Sequence, residues 1–575
     1  MNRLFAENDK RRIQSLDGVW QFRTDENREG IEKGWAKSLP PDCRDVSVPS
    51  LWTCTHGYYH YEGVAWYFRT FTGGDFKALV FHGVTGLADV YVDGLHAGQH
   101  YGGFTGFQVL LKNLSSGEHF LALRVDNTHT HTDTIPLYKV DWYHHGGISR
   151  GVELHSHTAV RINHFAIRYT LSNMNGKTAD ADIECTLRFS ANTSEVIRRT
   201  VKIFMNGKAV TESAVSLTGD GETKISFRAE QINLWSPASP ALYRFDAEIA
   251  GGTGAAGDCI ADDGIADMTG FREIKAREGK IFLNGCPIRI KGVNRHEDHP
   301  DFGYALPLAL QYKDMDIIKE VGCNAIRGSH YPNAQTFLDL CDREGILFWE
   351  EIPQWQFFKE ALENPLMNER GLSMHTEMVE RDLNHPSIIL WGLHNENDTR
   401  TEACFSLSKK YVERIRSLDA SRLITYATMM PLEDICFSLA DVVSVNKYFG
   451  WYQGELADWK NFLRDFYKKL DDEGCGDKPV IISEFGADGI PGVRNFEDQK
   501  GTEDYQAEYL EYTLNLFMND PRLAGSYIWQ FCDMRVWDAL GRARGFNNKG
   551  IVDEYRRPKL AYKTVKACYS KQEKM

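Results

Sequence analysis

SIILWGLHNE (387–396) is an apolar run that ends in Asn395 and Glu396, and PVIISEFG (479–486) repeats the pattern with Val480–Ser483 leading to Glu484. Both runs have the length and the β-branched content of strands. Working outward, six more runs of this kind appear: IRIKGVN (288–294), NAIRGSH (324–330), ILFWEE (346–351), LITYAT (423–428), VVSVNKY (442–448) and GSYIWQF (525–531). Helical patterns alternate with them. Leu308, Tyr312, Met315 and Ile318 fall 4, 3 and 3 apart and predict one helix, closed by Gly322. A second is expected from about Asn333 to Glu344, stopped by Gly345. Eight strands with intervening helices in residues 272–575 predict a (β/α)8 barrel. A doubly wound open sheet is the rival fold, and the GxGxxG turn that often marks its nucleotide-binding form is absent.

The preceding chain reads as β. In residues 1–158, VWQFR (19–23), WYFRTF (66–71), ADVYVDG (88–94), FLALRVDN (120–127) and GVELH (151–155) recur between turn signals, predicting a jelly roll. Asp93-Gly94 is a hairpin signal. Residues 159–271 alternate polar and apolar positions, as in VRINHFAIRYTL and TKISFRAE, and predict a smaller immunoglobulin-like β-sandwich. The glycine-rich GGTGAAGD (251–258) lacks the Lys-Ser/Thr ending of a phosphate cradle and is read as a loop.

Bulk composition removes several function classes. The chain carries 80 acidic and 66 basic residues, net −14, with no run of five Lys/Arg. A nucleic-acid partner needs a basic face, and a membrane-surface partner a basic amphipathic helix. Neither is present, and no apolar stretch reaches the ~18 residues of a membrane span. The start, MNRLFAENDKRR, has no apolar core of a signal peptide, and the twelve cysteines are scattered without a CxxC. That pattern fits reduced thiols and a cytoplasmic location. The sequons at Asn113, Asn192 and Asn397 are then chance matches.

In an α/β barrel, reacting groups sit at the C-terminal ends of the strands. Four runs end in acids: Glu396, Glu484, the pair Glu350 and Glu351, and, more weakly, Asp533. Carboxylates ending strands four and seven can face each other across the mouth. Hydrolysis of a glycosidic bond needs such a pair, one to protonate the leaving oxygen and one to attack carbon or activate water. Arg327, His330, Asn395, Asn446, Tyr448 and Trp529 end other strands and would supply hydroxyl partners and an aromatic floor. His296, Asp298 and His299 have no third ligand at fixed spacing, so His296 is read as a hydrogen-bonding residue and no metal is expected.

With these residues in place, the chain resembles glycoside hydrolase family 2, most closely its β-glucuronidases. LDGVWQF (16–22), VPSLW (48–52), FHGVTGLADVYVDG (81–94) and GGFTGF (102–107) look like the family's N-terminal domain. KGVNRHEDHP (291–300), IRGSHYP (326–332), LHNENDTR (393–400) and ISEFG (482–486) look like its barrel. The resemblance implies retention of anomeric configuration, with Glu484 as nucleophile, Glu396 as acid/base and Asn395 on the sugar 2-hydroxyl. It implies an exo-acting enzyme without a cofactor, a small-molecule or oligosaccharide glucuronide as substrate, and a homotetramer. Asn547 and Lys549 match the Asn-x-Lys motif that holds a uronate carboxylate. Asp141 matches an acid reaching the sugar from the first domain, and Tyr448 and Tyr452 match tyrosines beside the nucleophile and the sugar acid. Arg542 and Arg544 do not align with the family pattern. Only about twenty residues link Pro353 to Met374, where many relatives carry a long loop, so an open mouth is expected. Alternatives are a β-galacturonidase or β-galactosidase with the same chemistry, and a non-catalytic carbohydrate-binding protein on a dead barrel.

Overall fold

The computed structural model describes residues 3–8, 11–74, 76–112, 114–191, 196–253, 259–495, 497–537 and 540–572. The sequons at Asn113 and Asn192 and most of the glycine-rich 251–258 lie outside them, while Asn397 is 1% exposed, inaccessible to a glycan.

Two antiparallel sheets form the first region. The four-stranded one runs in the order Arg12–Ser15, Val152–Ser156, Lys77–Phe81, Phe107–Leu111. The six-stranded one runs Arg44–Val48, Gly18–Thr24, Val64–Thr72, Glu118–Asp126, Leu87–Val92, Leu95–Tyr101. Trp20, Tyr67, Leu79, Phe81, Leu121 and Leu123 share the core between them, as alternation along each strand requires. A three-stranded sheet and a four-stranded sheet then pack over Ile162, Ile183, Leu187, Val201, Phe245 and Ala247. This is a small antiparallel sandwich.

The remaining strands close into an eight-stranded parallel barrel. They are β1 (Ile290–Asn294), β2 (Ala325–Gly328), β3 (Leu347–Glu351), β4 (Ile388–Asn395), β5 (Leu423–Thr428), β6 (Val443–Asn446), β7 (Val480–Phe485) and β8 (Leu523–Ile528). Each falls within or overlaps one of the eight apolar runs. The runs are unbroken because residues inside a barrel wrapped by helices are buried on both faces.

The helices are α1 (Leu308–Glu320), α2 (Gln335–Glu344), α3 (Lys359–Glu363), α4 (Pro365–Asp382), α5 (Glu402–Leu418), α6 (Asp458–Asp472), α7 (Glu503–Asn519) and α8 (Leu560–Gln572). α2 ends as expected at Gly345, whose φ of 70° favours glycine, with Pro237 O only 2.4 Å from where a Cβ would sit. Two expectations need correction. α1 buries Gln311, Asp314, Met315 and Ile318, while Tyr312 is exposed. The stripe is displaced because the Asp314 carboxylate bridges Arg295 and Arg556, each at 2.9 Å. The link after β3 is helical, α3 followed by α4, with Asn364 capping α4 through Leu366 N. Among the described residues, a single 3-10 turn, Phe437–Leu439, and no α-helix joins β5 to β6.

The segment preceding Val152 lies against the barrel mouth. Arg150 donates to Glu297 at 3.1 Å and to Pro332 O at 2.8 Å, His145 meets Asp298 at 3.2 Å, and Phe104 stacks on Tyr331 at 4.0 Å. These contacts fix Asp141 and Trp142 over the strand ends.

Candidate active site

Glu484 ends β7 and is 4% exposed. Its Oε1 accepts Arg327 Nη1 at 2.8 Å and its Oε2 accepts the Tyr448 hydroxyl at 2.7 Å. Arg327, from β2, is fully buried and spends its remaining N–H groups on Glu351 at 2.9 and 3.0 Å, Asn395 Oδ1 at 2.7 Å and Asn294 Oδ1 at 3.3 Å. Its guanidinium lies 4.4 Å from the centre of the Trp349 ring. A buried guanidinium is stable only with its charge and donors matched, and the surrounding strand ends supply both.

Glu396 ends β4 at 8% exposure. Its oxygens accept Asn446 Nδ2 at 2.9 Å and Gln356 Nε2 at 3.0 Å. The same Asn446 amide reaches Asn395 Oδ1 at 3.1 Å, and Asn446 Oδ1 accepts the Ser483 hydroxyl at 2.7 Å. Arg327, Asn395 and Asn446 thus link the two carboxyls in one chain of hydrogen bonds. Glu396 has φ of 55°, the left-handed region that costs a non-glycine residue of order 1–3 kcal/mol. The turn of backbone at the end of β4 places its side chain beside β6.

The protonation states follow from these partners. Burial, and the charge of Glu396, push the Glu484 carboxyl up to about 8, against the pull of Arg327 and Tyr448. Burial also raises Glu396, against the Asn446 and Gln356 amides. The pair therefore holds one proton through the neutral range. A guanidinium and a phenol favour the anion at Glu484, whereas Glu396 has only neutral amides, so the arrangement with the proton on Glu396 is set up for chemistry.

Around the pair, His330 Nδ1 lies 2.6 Å from Glu351 Oε1. Burial lowers this imidazole to about 4, so it is neutral, donates Nδ1–H to Glu351 and leaves Nε2 free 3.9 Å from Glu484. Trp529 stacks on His330 at 5.2 Å, and His296 packs edge-on to Trp529 at 5.5 Å. His296 Nδ1 meets the Tyr331 hydroxyl at 3.3 Å, and burial holds the ring well below its usual value. Asp298 and His299 turn away, to His145 and to Asp301 N. Among the described residues, Asn395 Nδ2, His296 Nε2 and Trp142 Nε1 are buried without a protein partner. Asn395 precedes Glu396 in the chain, and Trp142 and His296 both pack against His330.

A second cluster adjoins the first through Tyr448, whose ring lies 5.1 Å from that of Tyr452. The exposed Tyr452 accepts Lys549 Nζ at 2.9 Å and Arg542 Nη1 at 3.1 Å. Arg542 binds Asp141 through two nitrogens, at 2.7 and 2.9 Å, and Asn547 Nδ2 donates to Asp141 at 2.9 Å. Lys549 is paired with Asp488 at 2.6 Å. All twelve expected site residues lie in these two connected clusters. Three more were missed, Arg542, Gln356 and Asp488, while Glu351, a candidate acid, takes a supporting place. The acid expected at Asp141 demanded a cation nearby, and that was the available signal for Arg542.

The weaker candidates prove structural. Asp533, pushed up to about 7 by burial, accepts Lys559 at 2.9 Å and Gly550 N at 2.9 Å, so it braces the turn carrying Lys549. Glu350 accepts Asn333 N and meets Arg381, away from the pair. Asp339, Asp342 and His385 come close enough together to hold an ion. However, Arg3 already covers both Asp339 oxygens, and His385 meets Asp342.

Two buried carboxyls ending β4 and β7 of a (β/α)8 barrel, beneath an aromatic and hydrogen-bonding mouth, define a glycosidase. The family model for glycosyl hydrolases family 2, TIM barrel domain, matches residues 274–573, and that for glycosyl hydrolases family 2 matches 160–272. The chain belongs to glycoside hydrolase family 2. It is 28% identical to a β-glucuronidase of Paenibacillus borealis, over 97% of this chain and 96% of that one. The human β-glucuronidase is 26% identical, over 98% and 92%. Among solved structures, a β-galacturonidase of Eisenbergiella tayi bound to galacturonate superposes with a TM-score of 0.90 at 35% identity, covering 99% of both chains. A Bifidobacterium dentium β-glucuronidase complexed with coumarin-3-O-glucuronide gives 0.88 at 26%, over 99% and 98%. No helix among the described residues is long and apolar enough to cross a membrane.

Proposed function

We propose that the chain is a retaining exo-β-uronidase that removes terminal β-D-glucuronate, with Glu484 as nucleophile and Glu396 as acid/base. The observation that carries the uronate assignment is the cluster of Lys549, Arg542 and Asn547 set one tyrosine pair away from Glu484. A neutral sugar needs no cation near carbon six, whereas a uronate does. Asp141 and Trp142, reaching over from the first β region, would close the far side of the sugar and favour a chain end.

In the first step the Glu484 carboxylate attacks the anomeric carbon as the bond to the leaving oxygen breaks, and Glu396 gives that oxygen its proton. Arg327 and Tyr448 hold the nucleophile in line. In the second step Glu396 takes a proton from water, the hydroxide attacks the anomeric carbon from the other face, and Glu484 departs. Asn395 Nδ2, the unpartnered amide between the carboxyls, is placed for the 2-hydroxyl, an interaction that strengthens in the transition state. His296 Nε2 and Trp142 Nε1 are the matching groups for other hydroxyls. The chemistry is complete with these residues and needs no metal or cofactor.

A specific observation supports a second reading. The similarity to the Eisenbergiella tayi β-galacturonidase, 35%, exceeds that to the β-glucuronidases named above. A β-galacturonide differs from the β-glucuronide only at carbon four. Initial rates on p-nitrophenyl β-glucuronide, galacturonide, galactoside and glucoside test both. The proposal expects the two uronides to exceed their neutral counterparts at least a hundredfold, with glucuronide first. A faster galacturonide selects the second reading, and a faster neutral sugar ends both.

A further inference from the structure

The Lys549 ammonium is fully enclosed, with a side-chain exposure of 0%. Trp451 and Tyr452 lie 5.1 and 4.7 Å from Nζ. An ammonium has three donors and no acceptor. Among the described residues, one goes to the Tyr452 hydroxyl at 2.9 Å and one to Asp488 Oδ1 at 2.6 Å. The third has no partner among the bonds described.

Asp488 follows β7 in the segment Ala487-Asp488-Gly489, four residues beyond Glu484. The segment is tied to the turn that carries Lys549: Gly489 N donates to Asn548 O at 2.9 Å, and Lys559 Nζ bridges Gly489 O and Asn548 O at 2.8 and 2.9 Å. Acid and lysine are therefore held in fixed register on two clamped loops. A protein carboxylate beside a carboxylate-binding lysine looks self-defeating until desolvation is counted. A buried ammonium without a counter-charge is costly, and an empty pocket would not keep its lysine in place. Arg542 is matched in the same way by Asp141. Each cation of the cluster has its own acid, so the pocket distinguishes a carboxylate by the direction of the remaining donors and not by surplus charge.

We propose that Asp488 is a specificity-determining positioning residue, which anchors Lys549 so that its third donor faces the carboxylate of a uronide. The inference rests on the uronate reading above. The test compares the native chain with Asp488→Ala and Asp488→Asn on p-nitrophenyl β-glucuronide and β-glucoside. Losing the orientation of one charge-assisted hydrogen bond is worth roughly tenfold to a hundredfold. Asp488→Ala is expected to raise the glucuronide KM by about that factor, with a much smaller change in kcat, and to lower the glucuronide-to-glucoside ratio of kcat/KM at least tenfold. Asp488→Asn keeps an acceptor at the same place but not the counter-charge, and is expected to recover part of the loss. Equal losses on both substrates overturn the proposal, as does an Asp488→Ala chain that binds glucuronide as well as the native one, or an Asp488→Asn chain no better than Asp488→Ala. A native chain that does not prefer the uronide refutes the uronate reading itself, before any variant is compared.

Discussion

Replacing Lys549 by alanine removes the one ammonium at the base of the second cluster and leaves Asp488 without its partner at 2.6 Å. Two effects add for a uronide. The direct charge-assisted hydrogen bond is lost, about 1.5–3 kcal/mol. In addition the sugar carboxylate now faces Asp488 uncompensated. At ~1.4 kcal/mol per decade, the first effect alone gives a ~10- to 150-fold loss in kcat/KM, and the second adds to it. A matched glucoside feels neither effect. The assay is kcat/KM for p-nitrophenyl β-glucuronide and β-glucoside with Lys549→Ala and with the double variant Lys549→Ala/Asp488→Ala. The double variant should recover the repulsive part of the loss. Equal losses on both substrates would show that the lysine is structural. A double variant as poor as the single one would refute the charge argument.

Three further outcomes follow from the same geometry. Glu484→Ala should lose at least ~10⁴-fold in kcat, and azide should restore turnover with inverted product, read by NMR of the first-formed glycosyl azide. The kcat/KM profile should be bell-shaped. Both carboxyl values are raised, so the pair keeps its proton above the usual carboxylate range, and activity falls on the alkaline side as that proton leaves. Glu396→Gln should abolish this alkaline limb on a 2,4-dinitrophenyl uronide, whose leaving group needs no acid. Prolonged dialysis against EDTA should change neither kcat nor Tm, because Arg3 covers both Asp339 oxygens and His385 meets Asp342; a loss restored by one divalent ion would contradict the ion-pair reading.

The barrel was legible because each of its strands is buried on both faces and so forms an unbroken apolar run, and its acids stand where those runs stop. Legibility ended where tertiary contacts set position. α1 carries a buried acid in its inward stripe because Arg295 and Arg556 come from the residue after β1 and from the chain before α8, which no local period encodes. Arg542 and Asp141 lie 401 residues apart, and only the docking of the first β region on the barrel mouth joins them. Gln356 sits in the short link after β3, and its amide reaches Glu396 only through tertiary placement. The side of the pocket that reads carbon four is likewise a matter of side-chain placement, beyond what residue type discloses.

The account turns on Glu484 forming a covalent bond to the sugar. Incubation with a 2-deoxy-2-fluoro-β-glucuronosyl fluoride slows both steps and the second most, so a glycosyl-enzyme accumulates. Peptide mass spectrometry of the inactivated chain should find one fluoro-uronosyl group on the peptide containing Ile482-Ser483-Glu484-Phe485, located on Glu484. An adduct on Glu396 or elsewhere, or turnover of the reagent without any adduct, would contradict it.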